Sequence, residues 1–255
     1  MTEKKEEKLR LDRYLCECMG ITRSEAKGLL SRGQVTVGGV VCKKGDAHVG
    51  DADAVTAAGK LLQRQKYVYI MLDKPQGVVS AGEDGRDTTV VDLVREFFPR
   101  RQLFPAGRLD KDSTGFVLLT DDGAFAHDIL APKRHVPKTY TVRIDVPVTQ
   151  QMVDGFAAGI TLADGSCMQP AVLQPVEGDA TLGRVVLTQG VYHQIKRMFG
   201  TFGAGVVSLR RTAIGGLVLD ETLGAGGWRE LSEEEVKKIT DHFSPDFQKT
   251  ATFSC

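Results

Sequence analysis

From Leu11 the apolar residues Leu11, Tyr14, Leu15, Cys18 and Met19 recur at i, i+3, i+4, i+7 and i+8, and Gly20 then interrupts the pattern. At 3.6 residues per turn those positions share one face, so the spacing predicts a helix with a single buried stripe. Thr22 followed three residues later by Glu25 makes a capping box, which opens a second short helix through Ala26, Leu29 and Leu30 to Arg32, with Gly33 placed to end it. Val35-Thr36-Val37 and Val40-Val41-Cys42 flank Gly38-Gly39, a dipeptide that accepts the positive φ of a tight turn, so a hairpin follows. Residues 8 to about 50 therefore read as helix, helix, hairpin within a small domain, residues 8–58, and a polar stretch at 59–66 reads as a linker.

Beyond it, Tyr67–Leu72 is rich in β-formers and ends at Asp73-Lys74-Pro75-Gln76-Gly77, where Pro and Gly force a turn. A helix is expected from about Thr89 to Phe98, strands at Phe116–Thr120, Thr139–Val146 and Val206–Leu209, and helices at Ala124–Leu130, Gln150–Ala158 and His193–Phe202. Ser232 with Glu235 caps a last helix. Strands and helices alternate without a strict βαβ repeat, which favours an α+β fold over a doubly wound parallel sheet. The larger domain spans 67–243 and residues 244–255 form a loose tail.

Composition removes whole classes. The 255 residues are 42% hydrophobic and 26% charged, ordinary globular usage that excludes a disordered or collagenous chain. The charged opening MTEKKEEKLRL does not resemble a signal peptide, and nowhere do about 18 apolar residues run together, so a cytosolic protein without a membrane span is expected. Five cysteines at irregular spacing make no disulfide framework, and Cys16 and Cys18, lacking a second pair at zinc-finger spacing, read as helix residues; no metal site is expected. Lys plus Arg equals Asp plus Glu at 33, yet residues 1–66 hold 13 basic and 9 acidic residues against 20 and 24 in the remainder. Such asymmetry marks either a nucleic-acid-binding half or a merely solvated surface.

Three segments carry groups able to do chemistry. In Gly107-Arg108-Leu109-Asp110-Lys111-Asp112-Ser113-Thr114-Gly115, a carboxylate sits between glycines beside two cations. It is either a nucleophile or base kept ionised by its neighbours, or a local acceptor in a turn. The stretch 189–212 contains four Lys or Arg and no acid, and its helix around Gln194, Ile195, Met198 and Phe199 turns part of its surface to a core while its cations can meet a carboxylate or phosphate. The basic segment 132–140 ends in Tyr140, which either packs in a core or stacks on an RNA base.

In order and spacing these landmarks, from Asp73-Lys74-Pro75-Gln76-Gly77 through Gly107-Arg108-Leu109-Asp110, Leu118-Leu119-Thr120-Asp121-Asp122-Gly123 and Lys138-Thr139-Tyr140 to His193-Gln194-Ile195-Lys196-Arg197-Met198-Phe199, resemble the bacterial ribosomal-RNA pseudouridine synthases of the RsuA type. Residues 8 to about 50 resemble the small RNA-binding domain shared with a small-subunit ribosomal protein and some tRNA synthetases. The resemblance implies a cofactor-free isomerase converting uridine to pseudouridine in ribosomal RNA or an assembling ribosomal subunit, more in keeping with the small subunit than the large, and a monomer. It implies Asp110 as the catalytic carboxylate, Lys196 as the cation beside it, Tyr140 as the base-stacking residue, Arg108 as an aid to extruding the target nucleotide, and Arg197 as an RNA contact. In the small domain Arg13, Arg23, Lys27, Arg32, Lys43 and Lys44 become candidate phosphate contacts. Competing readings are a large-subunit enzyme, a non-catalytic RNA-binding or ribosome assembly factor, and a glycoside hydrolase built on Asp110 and Asp112.

Overall fold

The computed structural model describes residues 8–50, 52–131, 134 and 136–240. The tail expected at 244–255 and three residues of the basic segment, at 132, 133 and 135, lie outside the described residues. The chain divides between Lys66 and Tyr67 into two units.

In the first, β1 (Leu9–Arg10) leads into α1 (Leu11–Met19), whose predicted stripe buries Leu11, Tyr14 and Leu15 and whose end is Gly20 at φ 66°. The left-handed C-terminal position takes glycine because no Cβ is there to clash. Then α2 (Arg23–Ser31) begins at the capping box of Thr22 and Glu25. Next, β2 (Val35–Val37) pairs with β3 (Val40–Val41) across Gly38 and Gly39, both at positive φ. β4 (His48–Val49) pairs with β1. The hairpin is then extended: β5 (Val55–Ala57) and β6 (Lys60–Leu61) complete a four-stranded sheet in the order β3-β2-β5-β6. The expected linker at 59–66 is thus corrected in its first half. Ala58 and Gly59 turn at positive φ, the Leu62 amide donates to Val55 O at 2.8 Å, and the Tyr14 hydroxyl reaches Leu62 O at 3.4 Å. An alanine gives no sign in sequence that it will adopt φ 50°, so this turn has no local signature. Cys16 and Cys18 lie on α1 against the small core, as helix residues should.

The second unit is built on a mixed nine-stranded sheet. Its strands and helices follow as β7 (Tyr69–Lys74), β8 (Phe104–Pro105), β9 (Thr114–Thr120), α3 (Gly123–Leu130), β10 (Lys138–Ile144), α4 (Gln150–Ala158), a small hairpin of β11 (Ile160–Thr161) and β12 (Cys167–Met168), β13 (Val172–Val176), β14 (Asp179–Leu187), α5 (Gln194–Gly200), β15 (Val206–Ile214), β16 (Leu217–Val218), β17 (Trp228–Glu230) and α6 (Glu233–Thr240). The main path runs β13-β14-β10-β15-β9-β7-β17, antiparallel except for the parallel pairing of β15 with β9. Side chains alternate across the sheet with period two. Ile70, Leu72, Val117 and Leu119 face one core with Met152, Phe156, Ile195 and Phe199 of α4 and α5; Met71, Phe116 and Leu118 face the other with Ala126, Ile129 and Ile239 of α3 and α6. This is the α+β architecture expected, with helices on both faces.

Two local expectations fail. No α-helix spans Thr89–Phe98; Thr89 and Asp92 close on each other through three hydrogen bonds of 2.9 to 3.1 Å, and only Arg95–Phe97 forms a 3-10 turn. The local side-chain bonds outcompete the helix, and the buried Val90, Val91 and Val94 are stiff β-branched residues that favour it little. The strand expected to stop at Leu209 continues to Ile214, paired with β10 as far as Lys138, and Arg211 within it is buried at 3% exposure.

Candidate active site

Asp110 lies on the connection from β8 to β9. The strand it leads into can approach β15 because residue 115 is glycine: at φ 99° a Cβ there would lie 2.2 Å from Arg211 O. Around the loop, buried side chains from other parts of the chain hold its carbonyls one after another. The Ser80 hydroxyl donates to Leu109 O at 3.0 Å and accepts from the Leu109 amide at 3.1 Å. Lys74 Nζ donates to Pro75 O at 3.0 Å, Lys111 O at 3.3 Å and Ser113 O at 2.7 Å. Arg211 Nε donates to Phe116 O at 2.7 Å and its Nη1 reaches Arg108 O at 3.5 Å. Lys74 is fully buried and its pKa falls to about 8; loss of water is the chief cause, opposed by Asp112 and Asp110 and reinforced by Arg211. Lys138, at the start of β10, is lowered to about 8 by burial and then by Arg211.

From the other side, α5 brings cations to the carboxylates. Lys196 Nζ bonds both oxygens of Asp112, at 2.8 and 2.7 Å, and lies 3.6 Å from Asp110 Oδ2. His193 Nε2 lies 3.5 Å from Asp110 Oδ1. Asp112 is held below the usual carboxylate range, first by its hydrogen bond from Lys196. A lysine and a histidine thus flank Asp110, one facing each oxygen, beside a second carboxylate that takes the lysine's hydrogen bonds. Such a group can act as nucleophile or proton acceptor.

The remaining expected residues fall as follows. Tyr140 sits on β10, paired in register with Arg211 on β15, and its ring is buried in the same apolar cluster as Leu109 and Ile195. The Arg108 side chain is exposed, with its backbone carbonyl held by Arg211. Arg197 is engaged elsewhere, with the Asp164 carboxylate and the Ser166 hydroxyl, so its guanidinium is already paired in this state.

A family model described as RNA pseudouridylate synthase matches residues 68–201, and one described as the S4 domain matches residues 9–55. The first match covers more than half of the chain. The chain belongs to the RNA pseudouridylate synthase family. Its relatives bear this out over their full length. It is 40% identical over 232 residues to a protein of Vibrio cholerae named ribosomal small subunit pseudouridine synthase A, spanning 91% of this chain and 99% of that one. It is 39% identical over 236 residues to an uncharacterized RNA pseudouridine synthase of Bacillus subtilis, with 91% and 99% covered. A solved structure described as a pseudouridylate synthase superposes with a TM-score of 0.64 at 37% identity, over 91% of this chain and 99% of that one.

In this synthase the sequence motifs draw Asp110 and Lys196 together but do not point to the residues that support them. Asp112, in sequence one half of a poor carboxylate pair, is the lysine's hydrogen-bond partner. Lys74 stands inside a motif that gives it no task, and Ser80 carries no signal, since only folding brings it to Leu109 across 29 residues of chain. In the S4 unit Arg23, Lys27, Arg32, Lys43 and Lys44 are exposed, and Arg13 bonds Glu17 at 2.8 Å on α1. Lys27 and Lys43 line a hollow of about 430 Å³ with Arg10, Asp12 and Asp46. Arg10, absent from the expected set, clamps the buried Asp12 at 3.1 and 2.8 Å and lowers that carboxyl's pKa.

Proposed function

We propose that this synthase isomerises uridine to pseudouridine in small-subunit ribosomal RNA, with Asp110 as the reacting carboxylate. The observation that carries the assignment is the placement of Asp110 between Lys196 and His193 on a loop whose carbonyls are held by buried donors. The reaction breaks the bond from uracil N1 to ribose C1′, turns the base, and joins C5 to C1′. Whether the carboxylate adds to the nucleotide or takes a ribose proton, it must be ionised, and a cation within about 4 Å favours that form. Lys196 supplies it, moving from Asp112 toward Asp110 as the nucleotide enters. Tyr140 stacks on the target uracil near C5, where a proton leaves. Arg108, exposed beside the carboxylate, occupies the space of the extruded nucleotide, and Arg197 contacts the RNA after leaving Asp164.

The S4 unit grips the phosphate backbone through Arg13, Arg23, Lys27, Arg32, Lys43 and Lys44, contacts that position the RNA without reading its bases. The small-subunit target is supported by the name of the Vibrio cholerae relative and by its match over nearly its whole length. The protein works in the cytoplasm as a monomer without a cofactor. Tritium release from RNA labelled at uridine C5, measured on small- and large-subunit transcripts and on their ribosomal particles, tests the assignment. Release from the small-subunit RNA or particle alone is expected; release from the large-subunit RNA instead would reassign the target, and none from any substrate would overturn the reaction.

A further inference from the structure

His193 has a backbone conformation uncommon for a residue that carries a Cβ. At φ 51° and ψ 30° it is in the left-handed region, one of two non-glycine residues with positive φ among those described. There a Cβ crowds the following carbonyl, so the conformation persists only where its surroundings impose it. It stands at the N-cap of α5, yet makes no side-chain capping bond that would compensate. Its imidazole is directed elsewhere: Nε2 lies 3.5 Å from Asp110 Oδ1, while Lys196, three residues on, lies 3.6 Å from Oδ2. Behind it the ring of Tyr192 stacks at 3.8 Å between centroids and 18° between planes, although Tyr192 itself is 74% exposed.

The terminal torsion of an aspartate is broad and roughly two-fold, so one cation on one oxygen leaves the carboxylate free to turn. A second donor on the other oxygen fixes its plane. The geometry points to His193 as a positioning residue for Asp110: the left-handed turn aims the imidazole at Oδ1, the stack with Tyr192 limits its rotation, and Lys196 faces Oδ2 at 3.6 Å. The assignment rests on the isomerase reading above. The gap of 3.5 Å exceeds a hydrogen bond, and it closes when the nucleotide is bound, as catalytic hydrogen bonds that are long in free enzymes commonly do.

Three variants of the full chain separate this role from a structural one, read by tritium release on the RNA that the wild type modifies and by thermal unfolding. His193→Gly relieves the backbone and removes the donor, so its Tm holds or rises while kcat falls by about ten- to a hundredfold and KM for RNA stays within about twofold, the size expected from a misaligned reacting group. His193→Phe keeps the stack with Tyr192 and shows the same fall in kcat. His193→Gln, whose amide can reach the place of Nε2, recovers most of it. Wild-type kcat in both His193→Gly and His193→Phe would overturn the role, as would a change confined to KM or a loss of kcat that tracks loss of Tm and is not recovered by His193→Gln. A readout without turnover accompanies these: the side-chain nitrogen NMR signals of His193 shift in Asp110→Asn, and unmoved signals would show that the pair does not exist in solution. An inactive wild type would instead remove the isomerase reading, leaving the NMR result to decide whether the two side chains are coupled.

Discussion

The two units use the same residue types in opposite ways. In the S4 unit Arg23, Lys27, Lys43 and Lys44 stand on the surface. In the synthase unit Lys74 and Arg211 are buried at 0% and 3% exposure and donate to the carbonyls of Arg108, Lys111, Ser113 and Phe116. The first arrangement keeps charge available to a polyanion, and its worth depends on salt. The second uses charge to fix a backbone, and its worth depends on folding, since a buried carbonyl that loses its donor carries the full cost of desolvation. A cation's task therefore follows from its burial rather than from its type.

The contrast can be broken by removing cations from each place. Arg211→Met, which strips donors from Phe116 and Arg108 in the sheet, should destabilise the fold in chemical denaturation by about 1–3 kcal/mol for each carbonyl left buried without its donor. Ser80→Ala removes the one hydroxyl that meets both backbone groups of Leu109. It should cost about 1–3 kcal/mol and lower kcat more than it raises KM, because it loosens the residue next to Asp110. Lys27→Ala and Lys43→Ala should leave stability within about 0.5 kcal/mol of wild type. Each should weaken binding to unrelated RNA sequences alike and flatten the slope of log K against log salt by about 0.7–0.9 for every phosphate charge the protein no longer neutralises. Loss of stability in these surface variants, or none in Arg211→Met, would dissolve the distinction.

The pKa of Lys74 is about 8 in the folded chain against an ordinary 10.5, so the unfolded chain binds more protons between those values and folding gains as pH rises through them. The gain is complete above the ordinary value and is lost as pH falls through about 8. Measured by denaturation from pH 8 to 10.5, the stability of wild type relative to Lys74→Met should therefore grow with pH; a constant difference would mean that the buried amine titrates as if it were in water.

How much of the molecule is legible in its sequence follows the same division. The small unit announces itself because its signals are local: the stripe from Leu11 to Met19, the Thr22 and Glu25 box and the Gly38-Gly39 turn each act within a few residues. The proximity of Asp110 to Lys196 is legible through resemblance, since 86 positions separate them in the chain. The supporting residues are not. Arg211 looks like any surface arginine until β15 is seen to run on past it, and Ser80 meets Leu109 only once folding has brought 29 residues of chain back on themselves. Nor does sequence say that Lys196 bonds Asp112 while facing Asp110 at longer range, because both carboxylates lie within reach of one amine.

In the proposed reaction Asp110, 28% exposed, does the chemistry, and Asp112, 61% exposed, is a resting partner for the lysine. Single-turnover tritium release from small-subunit ribosomal RNA or its particle, with Asp110→Asn and Asp112→Asn measured side by side, tests this division of roles most directly. Asp110→Asn should lose activity by at least about a thousandfold, within the range for a positioned catalytic group, while Asp112→Asn keeps measurable turnover. Activity retained by Asp110→Asn and lost by Asp112→Asn would contradict that division.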